Sequence, residues 1–567
     1  MKPQDFAELA IFALVVFGAA PFLGAYMARV YSGRRHALSF LEPVERLCYR
    51  LSGVDAGAEM GWKKYALALA AFSAASLVVL WLILVLQGHL PLNPQKIPGM
   101  TWDLALNTAI SFMTNTNWQV YAGEVSASYF SQAAGLAVQN FVSAAAGMAV
   151  VVALIRGLVA RRADPSFPAG PSAPAPGLGN FWVDMTRTVL YILLPLSIVV
   201  TVILVSQGVI QNLSGYVPSL SFEGKQDLIP MGPAASQIAI KQLGTNGGGF
   251  FGQNSAFPFE NPTPFSNLVE FISILLIPAA FPFMYGRLTG KKRQGRVIFA
   301  VMLALFAISL VAALASEYRW GTMEGKELRF GVGPSAMWGM ATTVASNGSV
   351  NAMHDSFAPL TGMVAMINLM LGEVVFGGVG VGLNGMLALV FITVFIAGLM
   401  VGRGPEYLGK KIEAREVQLS MLAIIAPNLV ILLFAAIAVS VKQGLAAVSN
   451  PGPHGLSEIL YGFASAAGNN GSAFAGLGAN TVFYNLMIGA GMLIGRFGVI
   501  FPLLGVAGSL AGKKVTPESA GTFRTDTPVF GTLLFAVVII VAGLTHFPAL
   551  TLGPILDHFL MTMGVTL

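Results

Sequence analysis

The chain has 567 residues, of which 55% are hydrophobic and only 10% charged, where a soluble globular chain carries about 25% charged residues. Together with a mean hydropathy of +0.71, this excludes a water-soluble multidomain enzyme and a disordered chain. The formal charge of +6 does not call for nucleic acid, because surplus Lys and Arg of a membrane protein collect in its cytoplasmic loops.

Charge-poor stretches long enough to cross a bilayer, about 20 residues each, fall near 6–28, 65–88, 128–155, 182–207, 266–285, 297–315, 359–401, 417–440, 481–507 and 529–548. The first follows Lys2 and Asp5 without a basic leader or a small-residue cleavage site, so a retained helix is expected rather than a signal peptide. Of the 32 Lys and Arg, 23 lie in the loops 29–64, 156–187, 287–296, 403–415 and 513–524. Eight lie in the alternate loops and termini, and Arg496 alone lies within a span. That alternation predicts ten crossings with both termini outside. Cys48 is the single cysteine, and no Cys/His cluster has metal-ligand spacing.

The outside loops are too apolar to be plain connectors. Four of them carry segments of 13–14 residues, a re-entrant length: Thr101–Met113, Met231–Gly244, Gly333–Ala345 and His454–Ala467. An Asn-centred tetrad follows each one: Thr114-Asn115-Thr116-Asn117, Thr245-Asn246-Gly247-Gly248, Ser346-Asn347-Gly348-Ser349 and Asn469-Asn470-Gly471-Ser472. With Asn115, Asn246, Asn347 and Asn470 as reference points, the tetrads lie 131, 101 and 123 residues apart. The repeated unit is span, short helix, Asn-Gly loop, span. A single Asn-Gly is an ordinary turn, but four at one place in a repeated unit predict a common site.

The expected fold is an all-α polytopic membrane protein with four pseudo-repeats of helix, pore helix, filter loop and helix around a central axis. Its expected divisions are 1–64 (first helix and cytoplasmic loop), 65–162 (pore repeat 1), 163–181 (Pro/Gly-rich linker), 182–290 (pore repeat 2), 291–403 (pore repeat 3, second helix broken), 404–512 (pore repeat 4) and 513–567 (cytoplasmic loop and last helix). Four loops on one axis suit a cation filter, because a bare cation needs its hydration shell replaced and rings of backbone carbonyls can do that. Glycine admits the backbone angles that turn carbonyls to an axis. A short helix aiming its C-terminus there adds about half a negative charge. No ring of Asp or Glu occupies the matched positions, which favours a weakly hydrated monovalent cation.

The stretch 359–401 is twice the length one crossing needs, and its middle, Gly377-Gly378-Val379-Gly380-Val381-Gly382, is a poor helix interior. It reads either as a helix broken by a buried non-helical segment or as one long tilted helix with close glycine packing. Glu373 in that stretch and Arg496 in the ninth span are intramembrane charges of opposite sign. They are functional candidates by cost, or else a structural ion pair joining two repeats. Glu270 and Asp184, near span ends, are expected to be hydrated and idle.

TNTNWQ at Thr114–Gln119, GTNGGGFFGQN at Gly244–Asn254, SNGSVN at Ser346–Asn351, GNNGSA at Gly468–Ala473 and IGRFGV at Ile494–Val499 together resemble the KdpA family, the potassium-binding subunits of bacterial Kdp potassium-transporting ATPases. The resemblance implies a non-catalytic subunit that binds external K⁺ and passes it through an intramembrane tunnel to the P-type ATPase subunit KdpB, in a complex with KdpC and KdpF. It implies K⁺ as the cargo, no organic cofactor, and a filter on the sixteen tetrad residues with Gln119 at its mouth. It also places Glu373, Arg496 and, at the inner end, Arg403 near the cytoplasmic side of the ion path; the loop carrying Gly377, Gly378, Gly380 and Gly382 is expected beneath the filter as a gate that closes the straight exit. Consistent with this, the chain has neither a Walker A motif nor the Asp-Lys-Thr-Gly-Thr motif of P-type pumps. The alternative is a self-sufficient channel or uniporter of the same superfamily. A secondary transporter with inverted repeats is disfavoured, because all four units start and end inside.

Overall fold

The computed structural model describes residues 2–160, 177–220, 223–224, 226–372, 374–402, 404–517 and 523–565. Glu373, Arg403 and most of the linker expected at 163–181 lie outside the described residues. Among the described residues ten helices are long and apolar enough to cross a membrane: Pro3–Tyr31, Trp62–His89, Ser131–Val159, Phe181–Ser206, Pro264–Leu288, Lys292–Trp320, Val381–Met400, Ala414–Ser440, Val482–Ala511 and Pro528–Thr562. The chain is an all-α polytopic membrane protein. Its 29-residue first helix reaches about 43 Å at 1.5 Å per residue, more than a hydrocarbon core of about 30 Å requires.

Burial sorts these helices into an inner and an outer set. In each of the four span–loop–span units, the helix after the loop is more buried than the helix before it. The buried shares are 83% against 22%, 72% against 39%, 72% against 50%, and 50% against 33%, in chain order. The helices after the loops therefore pack around the middle, and those before the loops face outward. The first and last helices are peripheral, at 17% and 22% buried. The first lies along Pro264–Leu288, with Phe12 stacked on Phe271 at 3.9 Å between ring centroids.

Two short antiparallel strand pairs decorate the loops. Val217–Leu220 pairs with Gln226–Ile229, and Glu406–Tyr407 pairs with Lys410–Lys411. From the second pair, the buried Lys410 donates to the carbonyls of Gly157 at 2.9 Å and Leu510 at 2.6 Å. Those are the ends of two inner helices, where a cation complements the partial negative charge. Burial, with Lys513 nearby, lowers the pKa of Lys410 to about 8.

Candidate functional site

Four short helices, Trp102–Met113, Ala234–Leu243, Val332–Val344 and Gly452–Ala467, occupy the four apolar loop segments. Helices of 10–16 residues are marginal alone in water, and these are enclosed by protein over nearly every residue. Each ends in a tetrad whose backbone alternates. The left-handed residues are Asn115 and Asn117 (φ +65° and +54°), Thr245 and Gly247 (+47°, +80°), Ser346 and Gly348 (+46°, +91°), and Asn469 and Gly471 (+47°, +97°). The residue between each pair is not left-handed. Such alternation turns successive carbonyls to one side, as a carbonyl filter requires.

Hydrogen bonding fixes the equivalence of the loops and corrects the register expected for the first. The amides of Thr116, Asn246, Asn347 and Asn470 all bond back to the carbonyl five residues earlier, at 2.9, 2.8, 3.0 and 2.9 Å. Thr116, not Asn115, is therefore the counterpart of the other three asparagines. Asn117 stands where the other loops have Gly247, Gly348 and Gly471. Asparagine tolerates the left-handed region better than most residues, which is why the first loop can dispense with glycine there.

The four loops close into a ring. Asn115 donates to the carbonyls of Gly244 at 3.2 Å and Thr245 at 2.9 Å, joining the first loop to the second. Asn347 donates to the Lys241 carbonyl at 3.1 Å, and Ser349 Oγ to Gln242 Oε1 at 2.9 Å, joining the third to the second. Asn470 donates to the Thr342 carbonyl at 2.8 Å, and Ser346 Oγ to the Gly468 carbonyl at 3.0 Å. Asn469 returns to Thr116 Oγ1 at 2.9 Å. A Cβ on Gly247, Gly348 or Gly471 would stand 2.0, 2.1 or 1.9 Å from the carbonyl oxygen of Asn347, Asn470 or Thr116. Those oxygens belong to equivalent residues, so each glycine leans on the same group of its neighbour. Gly248 lies beside Asn117, whose Cβ would be 2.8 Å from an added one. All sixteen tetrad residues except Gly471 are buried.

The inner helix Ser131–Val159 supports the ring from beneath, through Ser143 Oγ on Asn115 Oδ1 (2.8 Å) and Asn140 Oδ1 on Asn117 Nδ2 (2.7 Å). Gln119 forms a two-way amide link with Gly249: its Oε1 accepts from the Gly249 amide at 2.9 Å and its Nε2 donates to the carbonyl at 3.3 Å.

The long stretch 359–401 is two helices, Pro359–Met370 and Val381–Met400, with a non-helical connection between them. The break differs from the expected one at its end, since Val381 and Gly382 already belong to the second helix. Gly377, Gly378 and Gly380 lie in the connection. Gly377 N–H donates to the Val344 carbonyl at 3.1 Å, and Val379 N–H to Thr245 Oγ1 at 2.9 Å. The connection is thus tied to the bases of the second and third loops. Gly380 (φ +88°) sits where a Cβ would fall 2.3 Å from the Gly147 carbonyl. Arg496 arrives at the same inner helix, donating from Nη2 to the Ser143 carbonyl at 3.1 Å.

Several buried polar groups were not expected. Lys241, which charge counting assigns to an outer loop, is a buried residue of the second short helix, ion-paired with the buried Glu260. Glu270 is buried rather than hydrated and accepts from Gln242 and Ser255, both at 2.9 Å. Asp184 is likewise buried, paired with Arg156 at 2.6 Å and bonded to Tyr65 at 3.0 Å. Distance along the chain hides each of these contacts from sequence reasoning. The available signal was the polar cluster Gln253-Asn254-Ser255 and Glu260-Asn261 within a run rich in glycine and phenylalanine.

A model of the family described as potassium-transporting ATPase A subunit, KdpA, matches residues 10–559. Proteins named potassium-transporting ATPase potassium-binding subunit are similar along their full length. That of Pseudomonas entomophila (strain L48) is 55% identical, covering 98% of this chain and 99% of the relative. That of Sorangium cellulosum (strain So ce56) is 54% identical, covering 99% and 100%. Among solved structures, the potassium transporter TrkH from Vibrio parahaemolyticus has a similar fold: TM-score 0.51 at 14% identity, over 88% of this chain and 98% of that one.

Proposed function

The chain belongs to the KdpA family of potassium-transporting ATPase A subunits, and on that premise we propose that its four loops are the K⁺ filter, loaded from outside. The single observation behind this reading is the closed ring, in which Gly247, Gly348 and Gly471 each lean on an equivalent carbonyl of the next loop. A dehydrated K⁺ needs several oxygens fixed in advance, because a ring that had to rearrange would lose the energy gained from coordination. The C-terminal ends of four short helices add partial negative charge. No carboxylate lies among the sixteen tetrad residues, which suits a monovalent ion that must also leave. The four span–loop–span units are the pore repeats, with divisions near 65–162, 182–290, 291–403 and 404–512.

Below the filter, the connection between Met370 and Val381 and the side chain of Arg496 form the gate that blocks direct passage inward. The family resemblance puts Glu373 and Arg403 toward the same inner side of the ion path. A 100 mV potential is worth about 2.3 kcal/mol per charge, so an open exit would dissipate what ATP hydrolysis builds. The ion leaves sideways through an intramembrane tunnel to the ATP-hydrolysing partner KdpB, with KdpC and KdpF completing a complex in the bacterial inner membrane. Both termini of this chain lie on the periplasmic side.

The test is K⁺-stimulated ATP hydrolysis by the purified complex, read with K⁺ and with Rb⁺. Gly247→Asp should change the Rb⁺/K⁺ preference, because a Cβ and a charge enter the ring. Gln119→Arg should raise the K⁺ concentration needed for half-maximal rate. Wild-type behaviour of both variants would refute the filter assignment.

A further inference from the structure

Lys241 is an awkward neighbour for a cation site. It lies in the last turn of the second short helix with its side chain fully buried, one turn from the loop Thr245–Gly248. An isolated ammonium there would be costly to desolvate and would repel a cation in the ring. The buried carboxylate of Glu260 pairs with it, so the charge is offset locally.

What the ammonium does next bears on the ring itself. Lys241 Nζ donates to Asn254 Oδ1 at 2.7 Å and to Ser255 Oγ at 3.1 Å. A lysine can only donate, so the oxygen of the Asn254 amide must face it and the NH₂ must face the other way. That NH₂ donates to the Gly247 carbonyl at 2.8 Å. Asn254 holds this pose with a left-handed backbone, φ +54°, which few side chains tolerate. Gly249 leaves room for it, since a Cβ there would lie 3.0 Å from Asn254 Nδ2. The carbonyl oxygen of Gly247 has two lone pairs. With one engaged by Asn254, the plane of that peptide is fixed and the second lone pair has a defined direction.

Resting on the reading of these loops as a K⁺ site, we infer that Asn254, oriented by the Lys241–Glu260 pair, is a positioning residue that aims the Gly247 carbonyl and so sets the ion preference of the ring. Asn254 itself does not touch the ion. The other three loops have no such lysine at the matching position: Ser111, Thr342 and Ser465 are the counterparts of Lys241 by the five-residue bond. The clamp therefore makes the second loop unlike the rest.

The inference is tested in the assembled complex with Asn254→Gly, which keeps the left-handed backbone and deletes the amide, and with Asn254→Asp, which replaces the donor by an acceptor. A third variant, Lys241→Met with Glu260→Gln, removes both charges together. Each is expected to raise the half-saturating K⁺ concentration of ATP hydrolysis about tenfold and to narrow Rb⁺/K⁺ discrimination, with the maximal rate within about twofold of wild type. A merely structural role would reduce complex yield and maximal rate while leaving the Rb⁺/K⁺ ratio unmoved, and that result overturns the inference. So does failure of all three variants to assemble. Gly247→Asp separates the two readings. If it alters ion preference and the Asn254 variants do not, the clamp fails and the K⁺ site stands; if neither does, the K⁺ site fails as well.

Discussion

Gly348 illustrates how little room separates neighbouring loops. Its φ of +91° and the 2.1 Å between an added Cβ and the Asn470 carbonyl oxygen act together, so Gly348→Ala must strain its own backbone and displace its neighbour's. Each effect costs about 1–3 kcal/mol. The variant should lose K⁺-stimulated ATP hydrolysis at low K⁺ and melt several degrees lower, as thermal unfolding of the purified complex would reveal. The register of the first loop gives a sharper contrast. Asn117→Gly restores the residue that the other loops use and loses one bond to Asn140, worth about 1 kcal/mol. Thr116→Gly instead removes the hydroxyl that receives Asn469 and meets Thr114 Oγ1 at 2.8 Å. The half-saturating K⁺ concentration should rise less for Asn117→Gly than for Thr116→Gly, and the reverse order would return the register to Asn115. Composition and spacing located all four tetrads. They left the register of Thr114-Asn115-Thr116-Asn117 open to error, because the residue that matches the other three asparagines is Thr116, with an asparagine on either side of it. The Lys241, Glu270 and Asp184 contacts were out of reach for another reason: a buried ion pair depends on which helix faces which.

The broken helix was foreseeable from its glycines, since a run that loses so much backbone entropy is a poor helix interior. Its anchors were not. Phe376, itself left-handed at φ +55°, sits among Phe17, Phe299 and Phe306, with ring centroids 5.7–6.3 Å away; those rings come from the first and sixth spans. The fourth short helix is anchored differently. In its first turn His454 lies between two carboxylates, Asp355 Oδ1 at 3.0 Å from Nε2 and Asp557 Oδ2 at 2.9 Å from Nδ1. Asp355 follows the third loop and Asp557 belongs to the last helix, so one imidazolium joins three distant segments. Hydrogen bonds to Asp355 and Asp557 raise the His454 pKa from 6.5 to about 10. A histidine with a raised folded pKa stabilises fully below its unfolded value, and that stabilisation fades as pH rises through the folded one. The melting temperature of the complex should therefore fall steadily between pH 7 and pH 10. His454→Gln should cost about 2 kcal/mol at pH 7 and flatten that slope. An unchanged slope in the variant would assign the pH dependence to other groups.

Taken together, the ten helices form an inner set around the loops and an outer set facing away, and the charge alternation along the sequence already implied four units running in the same direction. On the filter reading proposed above, parallel units enclose a straight path, and such a path is a channel unless something stops the ion. On the gate reading proposed above, two features stand in that path: the connection bound to Val344 and Thr245, and Arg496, held on the carbonyl of Ser143, whose hydroxyl supports Asn115. A 100 mV potential supplies about 2.3 kcal/mol to a potassium ion moving inward, and a guanidinium on the path adds an electrostatic barrier against that movement. Reconstituted wild-type complex should then show Rb⁺ uptake only with ATP, and the chain alone should show almost none. Arg496→Gln should raise ATP-independent Rb⁺ flux about tenfold or more and weaken the coupling between ions moved and ATP consumed. A variant as tight as wild type would leave the connection alone as the barrier and reduce Arg496 to a fastening between helices. Flux through the unmodified chain without its partner would instead favour a self-sufficient uniporter.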